Sequence, residues 1–150
     1  MAQTLVKNYL HIVFSTKRRG PFIHPSIEKE LHFYMIGICT ELECYPMKIG
    51  GYNDHVHILC NLSKRISLAT FMEKLKGNSS KWIKTKGDVF QSFYWQGGYG
   101  AFSVAESDLP RLIEYLNNQH EHHRKKTFKE EYISFLEKYG VGYDEQYLWD

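Results

Sequence analysis

Apolar side chains along the chain form short clusters that predict strands and longer stretches that predict helices. Residues 8–16, NYLHIVFST, are rich in β-branched and aromatic side chains and predict the first strand. Residues 45–51 and 55–62 predict two more strands, with a turn at Asn53-Asp54 between them. Residues 93–104, FYWQGGYGAFSV, predict a fourth strand region that is rich in aromatic residues and glycine.

The helical stretches show apolar residues at spacings of three and four. The first helix is predicted from residue 25 to about 44, and the second from 67 to about 85. A third is predicted from 107 to about 123, and a fourth from 128 to 139. The order strand, helix, strand, strand, helix, strand predicts an α+β fold of the ferredoxin-like, split βαβ type. This fold hosts many activities, so function has to be argued from particular residues.

Composition narrows the class of protein without naming a function. The 150 residues, 43% of them hydrophobic, carry no internal repeat or linker and predict one domain over residues 1–150. The net charge of +2 does not by itself indicate a nucleic-acid partner. Three cysteines without a CxxC pair argue against a disulfide framework or a cysteine zinc site. No signal peptide or membrane segment is recognised, so we expect a soluble, cytoplasmic protein without a membrane partner.

The short stretch NDHVH, residues 53–57, places two histidines one residue apart in a predicted strand. Residues at i and i+2 share one face of a strand and lie about 6–7 Å apart. His55 and His57 could therefore hold one metal ion, with other coordination positions left open. The same pattern also fits one packed and one hydrogen-bonded histidine, so the pair alone leaves both interpretations open. Asp54 could orient a histidine, but capping of the turn is the favoured interpretation.

The third predicted helix brings a second chemical pair together. Tyr115 and Gln119 are four residues apart, so they are neighbours on the helix surface, at the edge of its apolar stripe. The tyrosine could simply flank the core. Alternatively, its phenol could lie beside an amide oxygen that binds a metal ion.

Two further stretches carry groups suited to DNA. The segment KLKGNSSKW, residues 74–82, offers ammonium, amide and hydroxyl donors for phosphate oxygens, although a solvated face is the usual role of a lysine-rich helix. Residues 120–126, HEHHRKK, form a second basic block. An HxHH run can bind a metal ion, but followed by RKK it more often forms a solvated or phosphate-facing surface. The aromatic stretch 93–102 could stack bases, or could pack in the core around a glycine-permitted bend.

Together these residues resemble the single-tyrosine HUH transposases of the insertion sequence 200/605 group. His55-Val56-His57 matches the HUH motif, and Tyr115 with Gln119 matches the helical tyrosine and the glutamine four residues on. The stretches HIVFSTKRR, KGNSSKW, WQGGYGAFSV and HHRKKTF also look like this family, in the right order. The resemblance implies a ferredoxin-like domain with a central antiparallel sheet, helices on one face and a C-terminal catalytic helix. It also implies a homodimer in which the tyrosine helix can act in trans.

The resemblance further implies a mechanism. Mg²⁺ or Mn²⁺ held by His55, His57 and Gln119 would polarise a phosphate, and Tyr115 would attack it to give a 5′-phosphotyrosine link. Two imidazoles alone would favour zinc, so the choice of ion follows the family. The substrate would be single-stranded DNA with hairpins at transposon ends. The candidate contacts to the DNA backbone are Arg18, Arg19, Lys76, Asn78, Ser79, Lys81 and Arg124.

Three other functions are considered. The first is a domesticated, repeat-associated relative that cuts chromosomal repeat hairpins with the same residues. The second is a non-catalytic ferredoxin-like module that binds nucleic acid, which would need neither Tyr115 beside Gln119 nor the HVH motif. The third is a metal-dependent hydrolase, for which only Asp54 and Glu114 offer nearby acidic groups.

Overall fold

A four-stranded antiparallel sheet is the centre of the computed structural model, which describes residues 2–150. The spatial order is β2-β3-β1-β4, so β1 and β3 are central strands and each is paired on both sides. This order with antiparallel pairing is the split βαβ arrangement, and the predicted ferredoxin-like α+β class is confirmed. The strands are β1 (Tyr9–Ser15), β2 (Pro46–Tyr52), β3 (His55–Asn61) and β4 (Gly100–Ser103).

Helices cover both faces of the sheet. Their bounds are α1 (Pro25–Glu41), α2 (Leu68–Lys84), α3 (Leu109–Asn117), α4 (Gln119–His122), α5 (Phe128–Lys138) and α6 (Glu145–Leu148). Ser67 caps α2 by accepting a hydrogen bond from the Thr70 amide, and Thr127 with Glu130 forms a capping box that starts α5.

The first face of the sheet is apolar and packs against α1 and α2. Side chains alternate along a strand, so Val56, Ile58 and Cys60 of β3 point to this face and are fully buried in the main core. The three cysteines are buried there as free thiols, as their number and spacing predicted.

The second face carries the chemistry. His55 and His57 of β3 point to it, and His11 of β1 points to it between them and β4. A smaller cluster, formed by Val13, Phe102, Phe128, Tyr132 and Leu136, attaches α5 to this face.

The helix α3 lies close against β2, which brings it to the edge of the same face. At Gly50 a Cβ atom would meet the carbonyl oxygen of Leu116 at 2.5 Å, so only glycine permits this approach. Gly50 therefore decides how near the helix that carries Tyr115 can come to the sheet.

The fourth strand is shorter than the predicted 93–104. Phe93 and Trp95 turn into the main core, and Trp95 keeps only an isolated bridge to Thr16. The Lys76 ammonium donates to the carbonyl oxygens of Gln96 and Gly98, at 2.9 and 2.7 Å, and holds this segment as a loop. The ladder with β1 therefore begins only at Gly100.

The third predicted helix is interrupted, and the C-terminal tail contains a further short helix. The backbone leaves helical geometry at Asn118, which separates α3 from α4. The tail forms α6 and returns to the loop at residues 96–98, where the Gly97 amide donates to the Asp150 carbonyl oxygen at 2.7 Å. Within residues 2–150, none of the helices has both the length and the apolar character needed to cross a membrane.

Candidate active site

The two HVH histidines lie side by side on the second face of the sheet. His55 and His57 are fully buried, and their ring centroids are 5.1 Å apart. The Nε2 atom of His55 lies 2.9 Å from Oε1 of Gln119, and the Nε2 atom of His57 lies 2.8 Å from Oε1 of Glu131. Both Nε2 atoms therefore point into one small polar centre.

The other ring nitrogen of each histidine, Nδ1, also has a polar partner. Nδ1 of His55 lies 2.7 Å from Oδ1 of Asp54, so the interpretation of Asp54 as only a turn cap is wrong. Nδ1 of His57 lies 2.7 Å from Nε2 of His11. Partners of this kind fix the orientation and tautomer of a histidine that binds a metal ion.

His11 suits this task because an imidazole can act as donor or as acceptor. Without a metal ion, His57 donates from Nε2 to Glu131, and its Nδ1 accepts a hydrogen bond from Nε2 of His11. If Nε2 instead coordinates a metal ion, Nδ1 becomes the donor and His11 accepts. Burial holds the pKa of His11 well below its ordinary value, which favours the neutral ring.

Glu131 of α5 lies at the middle of the polar centre and is almost completely buried. Burial alone would raise the pKa of this carboxyl, but the imidazoles of His57 and His123 hold it well below its ordinary value. Its Oε1 atom lies 3.5 Å from Nε2 of His55, and its Oε2 atom accepts from Nε2 of Gln119 at 3.0 Å. The carboxylate is therefore ionised at neutral pH and surrounded by donors.

Tyr115 of α3 completes the arrangement from the same chain. Its hydroxyl donates to Oε2 of Glu131, and its ring centroid lies 6.2 Å from that of His57. Burial, together with the Glu131 carboxylate, raises the pKa of the phenol well above its ordinary value. In this state Tyr115 is a protonated donor, which is a weak nucleophile until its proton is taken.

The break after α3 does not separate Tyr115 from Gln119. Gln119 is buried, and both side chains donate to the same oxygen of Glu131. His123, of the block for which a solvated or phosphate-facing surface was favoured over metal binding, lies 3.1 Å from Oε1 of Gln119 through Nε2. Burial would lower the pKa of His123, but the Glu131 carboxylate, whose Oε1 lies 3.5 Å from Nε2 of His123, raises it above the ordinary value.

The donor set fits a divalent cation. Ligand atoms of His55, His57 and Glu131 all lie within 4.8 Å of one another. Neighbouring ligands of an octahedral ion with bonds of 2.0–2.1 Å are about 3 Å apart, which is close to the separations of 2.8–3.5 Å found here. The three predicted ligands thus come together, and the structure adds the negative charge of Glu131, which hard ions such as Mg²⁺ and Mn²⁺ favour.

Glu131 was missed because the sequence argument followed the spacing of the HVH and tyrosine motifs. A signal was nevertheless present, since Phe128, Tyr132 and Phe135 place Glu131 on the apolar side of its helix. A charged residue on such a face is rarely buried unless it is paired. It is therefore a candidate for a functional site.

The predicted DNA contacts on α2 divide into exposed and buried groups. Asn78 and Lys81 are exposed. Ser79 is fully buried, where its hydroxyl donates to the Leu75 carbonyl and accepts from Nε1 of Trp95, so its prediction as a DNA contact is wrong. Lys76 is half-buried and holds the 96–98 loop, which removes it from the set of free cations.

The basic cluster after β1 has an unusual backbone. Arg18 and Arg19 both have positive φ, of 58° and 56°, a conformation that costs energy for non-glycine residues and is common at functional sites. Arg18 is exposed and borders a cavity of about 440 Å³ with Phe22 and Tyr94. The Arg19 guanidinium lies 5.0 Å from the ring centroid of Trp149. Arg124 is exposed, with one nitrogen 3.7 Å from Glu121.

Sequence comparison with known proteins gives a consistent picture. The family model described as "Transposase IS200 like" matches residues 4–119. The transposases for insertion sequence element IS200 of Salmonella typhimurium (strain LT2) and Salmonella typhi are each 24% identical to this chain over 114 residues. Each alignment covers 73% of this chain and 74% of the relative.

Solved structures share the fold at low sequence identity. A putative transposase from Deinococcus radiodurans R1 has a TM-score of 0.61 and 20% identity, over 79% of this chain and 96% of that one. A REP-associated tyrosine transposase bound to a REP hairpin has a TM-score of 0.61 and 11% identity, over 82% and 73%. The residues that the family model matches include both HVH histidines, Tyr115 and Gln119, but they end before α5 and Glu131.

Proposed function

The chain belongs to the IS200-like transposase family, and on that basis we propose that it cuts and rejoins single-stranded DNA through Tyr115 with the help of a divalent metal ion. The observation that carries the proposal is the meeting of a phenol, a carboxylate and two imidazoles in one buried centre. A module that only binds nucleic acid would gain nothing from burying these groups together, because burial of polar groups is costly.

The residues that would hold the ion are His55, His57, Gln119 and Glu131. A bound Mg²⁺ or Mn²⁺ would polarise the scissile phosphate and stabilise the negative charge that develops on it. Asp54 and His11 hold the two imidazoles in the orientation that this requires.

The covalent step uses Tyr115 as nucleophile. The phenol oxygen forms a bond to phosphorus, and the bond from phosphorus to the 3′-oxygen breaks, which leaves a 5′-phosphotyrosine and a free 3′-hydroxyl. Oε2 of Glu131 already accepts the phenol hydrogen bond and is the nearest acceptor for the proton. The departing 3′-oxygen takes a proton from water. Because the phosphodiester energy is kept in the phosphotyrosine link, a 3′-hydroxyl can reseal the strand without ATP.

Tyr115 acts in cis in this proposal. The family resemblance implied a homodimer in which the tyrosine helix can serve the partner, but in one chain Tyr115 already contacts Glu131 beside His57. The homodimer itself stays a prediction. The cytoplasmic location also stays a prediction.

The substrate in this proposal is single-stranded DNA with hairpins at the ends of a transposon. The fold match to a protein bound to a REP hairpin supports hairpin DNA as the partner. Arg18, Arg19 and Arg124 remain candidate contacts to its backbone. Asn78 and Lys81 lie on α2, across the sheet from Tyr115, so they would contact DNA away from the scissile phosphate.

The test uses a pool of single-stranded hairpin oligonucleotides with randomised flanks, incubated with the protein and Mg²⁺ or Mn²⁺. We expect a covalent protein–DNA adduct that survives denaturation and maps to Tyr115 by mass spectrometry. Tyr115→Phe should abolish the adduct, whereas Tyr147→Phe, which alters a well-exposed tyrosine on α6, should not. An adduct that persists in Tyr115→Phe would remove the nucleophile assignment.

The metal requirement has a separate test. His57→Ala should abolish the adduct while hairpin binding, measured by gel shift, is kept. Unchanged adduct formation in His57→Ala, or in the presence of a chelator, would contradict a metal-dependent reaction.

A second candidate keeps the chemistry and changes the DNA. The structural similarity to a REP-associated tyrosine transposase favours a domesticated enzyme that acts on dispersed chromosomal repeats. Sequencing of the trapped hairpins decides between the two. Hairpins at the ends of the element that carries the gene indicate a mobile transposon, and hairpins from repeats elsewhere indicate the domesticated role.

A further inference from the structure

A cleft of about 430 Å³ opens directly beside the hydroxyl of Tyr115. One wall is α3, through Arg111, Leu112 and Tyr115, and the other is the C-terminal half of α5 with Tyr139. Glu131 lies at its inner end, so the cleft runs from the polar centre to solvent. Nothing in the family motif accounts for it, because α5 lies beyond the matched residues 4–119.

The rim of the cleft carries three cations and one exposed carboxylate, Asp108, so its net charge is positive. Arg111, Lys126 and Lys138 all line it and are exposed. Among residues 2–150, no carboxylate lies within 4.0 Å of any of these three cations, whereas Lys7, Lys86 and Arg124 elsewhere are ion-paired. Lys126 donates only to the Ser134 hydroxyl, at 3.1 Å. Cations left unpaired around a cleft suit phosphate oxygens.

The inner surface of the cleft is aromatic. The Tyr139 ring stacks on Phe102, with centroids 4.7 Å apart and planes 17° apart, and 40% of the residue is exposed. Phe135 lies edge-on to the Tyr115 ring, with centroids 6.0 Å apart. A ring that is fixed on one face and exposed elsewhere can contact a base at little entropic cost. The cleft thus offers rings for a base and cations for phosphates.

The geometry of the covalent step decides which nucleotide can enter. In an in-line displacement the leaving 3′-oxygen departs on the side of phosphorus opposite to Tyr115. The released nucleotide therefore points away from α3. The nucleotide that stays on the 5′-oxygen projects sideways from the attack axis, and so it can reach a cleft whose wall is the tyrosine helix itself.

We propose that the cleft between α3 and α5 seats the nucleotide that remains joined to Tyr115, with its base against Tyr139 and its 3′-phosphate at Arg111 and Lys138. The proposal rests on the phosphotyrosine chemistry above and adds a binding site for one defined nucleotide. Its occupant is a deoxynucleotide of the retained strand. Of its contacts, Arg111 lies within the residues that the family model matches, whereas Lys138 and Tyr139 lie beyond them.

The experiment is a double-mutant cycle in which one change is made in the protein and the other in the DNA. An oligonucleotide trapped from the hairpin pool is remade with an abasic site at the first retained nucleotide, or at the last released one. With the wild type, we expect the retained-side abasic site to slow adduct formation about 10-fold, the size of one lost base–aromatic contact. In Tyr139→Leu, which keeps an apolar contact with Phe102, the same abasic site should cost about 2-fold or less, because the ring is already gone.

The rim is tested in the same assay. Lys138→Ala and Arg111→Ala should slow adduct formation several-fold at low salt, and a neutral methylphosphonate at the 3′-phosphate of the retained nucleotide should remove their effect. Lys29→Ala, which alters an exposed lysine on α1, is the matched control and should leave the rate unchanged.

The outcomes separate the two proposals. Absence of any adduct on Tyr115 in the wild type would refute the phosphotyrosine chemistry. An adduct whose rate couples Tyr139 to the released nucleotide, or to neither nucleotide, would refute the cleft assignment and leave the chemistry standing. Coupling to the retained nucleotide alone supports both.

Discussion

Replacing Glu131 by glutamine removes one negative charge from the polar centre and keeps the size of the side chain. The carboxylate accepts hydrogen bonds from Tyr115 and Gln119 at one oxygen and faces His57 at the other. An amide keeps one acceptor oxygen, which can serve the first pair. Its NH₂ group then faces the position of the metal ion, where it cannot bind.

The size of the effect follows from the interaction that is lost. A contact with a buried charged group contributes about 1.5–3 kcal/mol, and removal of an anionic ligand should cost at least the upper part of this range. With 1.4 kcal/mol for each tenfold change, about 2–3 kcal/mol corresponds to a Kd for Mn²⁺ that is about 30- to 140-fold weaker. The fold should remain intact, because the amide fills the same space.

The assay is titration of the DNA-free protein with Mn²⁺, followed by calorimetry or by the loss of the free-ion paramagnetic resonance signal. Glu137→Gln is the matched control, since Glu137 is exposed on the same helix and lies outside the cleft. An unchanged Mn²⁺ affinity in Glu131→Gln would refute Glu131 as a ligand. If cleavage were lost at unchanged affinity, the carboxylate would act on the Tyr115 proton alone.

Three further outcomes are expected. His11→Phe leaves Nδ1 of His57 without a partner and should weaken Mn²⁺ binding about 10- to 100-fold. His11→Gln, whose amide can donate or accept, should keep most of the affinity. Equal losses in both variants would contradict a positioning role. A mixture of Tyr115→Phe and His57→Ala proteins should form no adduct if the site is complete in one chain, and an adduct on the His57→Ala chain would instead show action in trans. Burial alone would raise the pKa of Glu131, but neighbouring imidazoles hold it below 4.5. The ionised carboxylate therefore stabilises the metal-free fold fully above pH 4.5, and this stabilisation is lost as the pH falls below that value. Urea midpoints below pH 4.5 should therefore fall more steeply for wild type than for Glu131→Gln, and parallel curves would contradict this.

The sequence was sufficient where chemistry follows from local spacing. Alternation along β3 predicts His55 and His57 on one face and Val56 with Ile58 on the other, and the structure shows the same arrangement. The family resemblance linked the histidines to Tyr115 and Gln119 across more than fifty positions, and these side chains do converge.

The sequence was insufficient where tertiary contacts decide. No local sequence feature predicts that Glu131, on a separate helix, reaches His57, because the two residues are 74 positions apart. The short β4 has the same origin, since it depends on the Lys76 ammonium binding loop carbonyls from another helix. Ser79 looked like a phosphate donor within KGNSSKW, but it lies on the buried side of α2, where its hydroxyl accepts a hydrogen bond from Nε1 of Trp95.

The central position of β1 and β3 gives the two halves of the site different resistance to opening. Their amides should exchange with deuterium only when the whole domain unfolds, because each strand is paired on both sides. Helix α5 is attached through a cluster of only five buried residues, and so it should exchange by a smaller, more frequent opening. The histidines would then stay in register while the carboxylate moves away and back. Deuterium uptake at α5, compared with uptake at β3, would measure how often α5 opens and makes the site accessible to a strand of DNA.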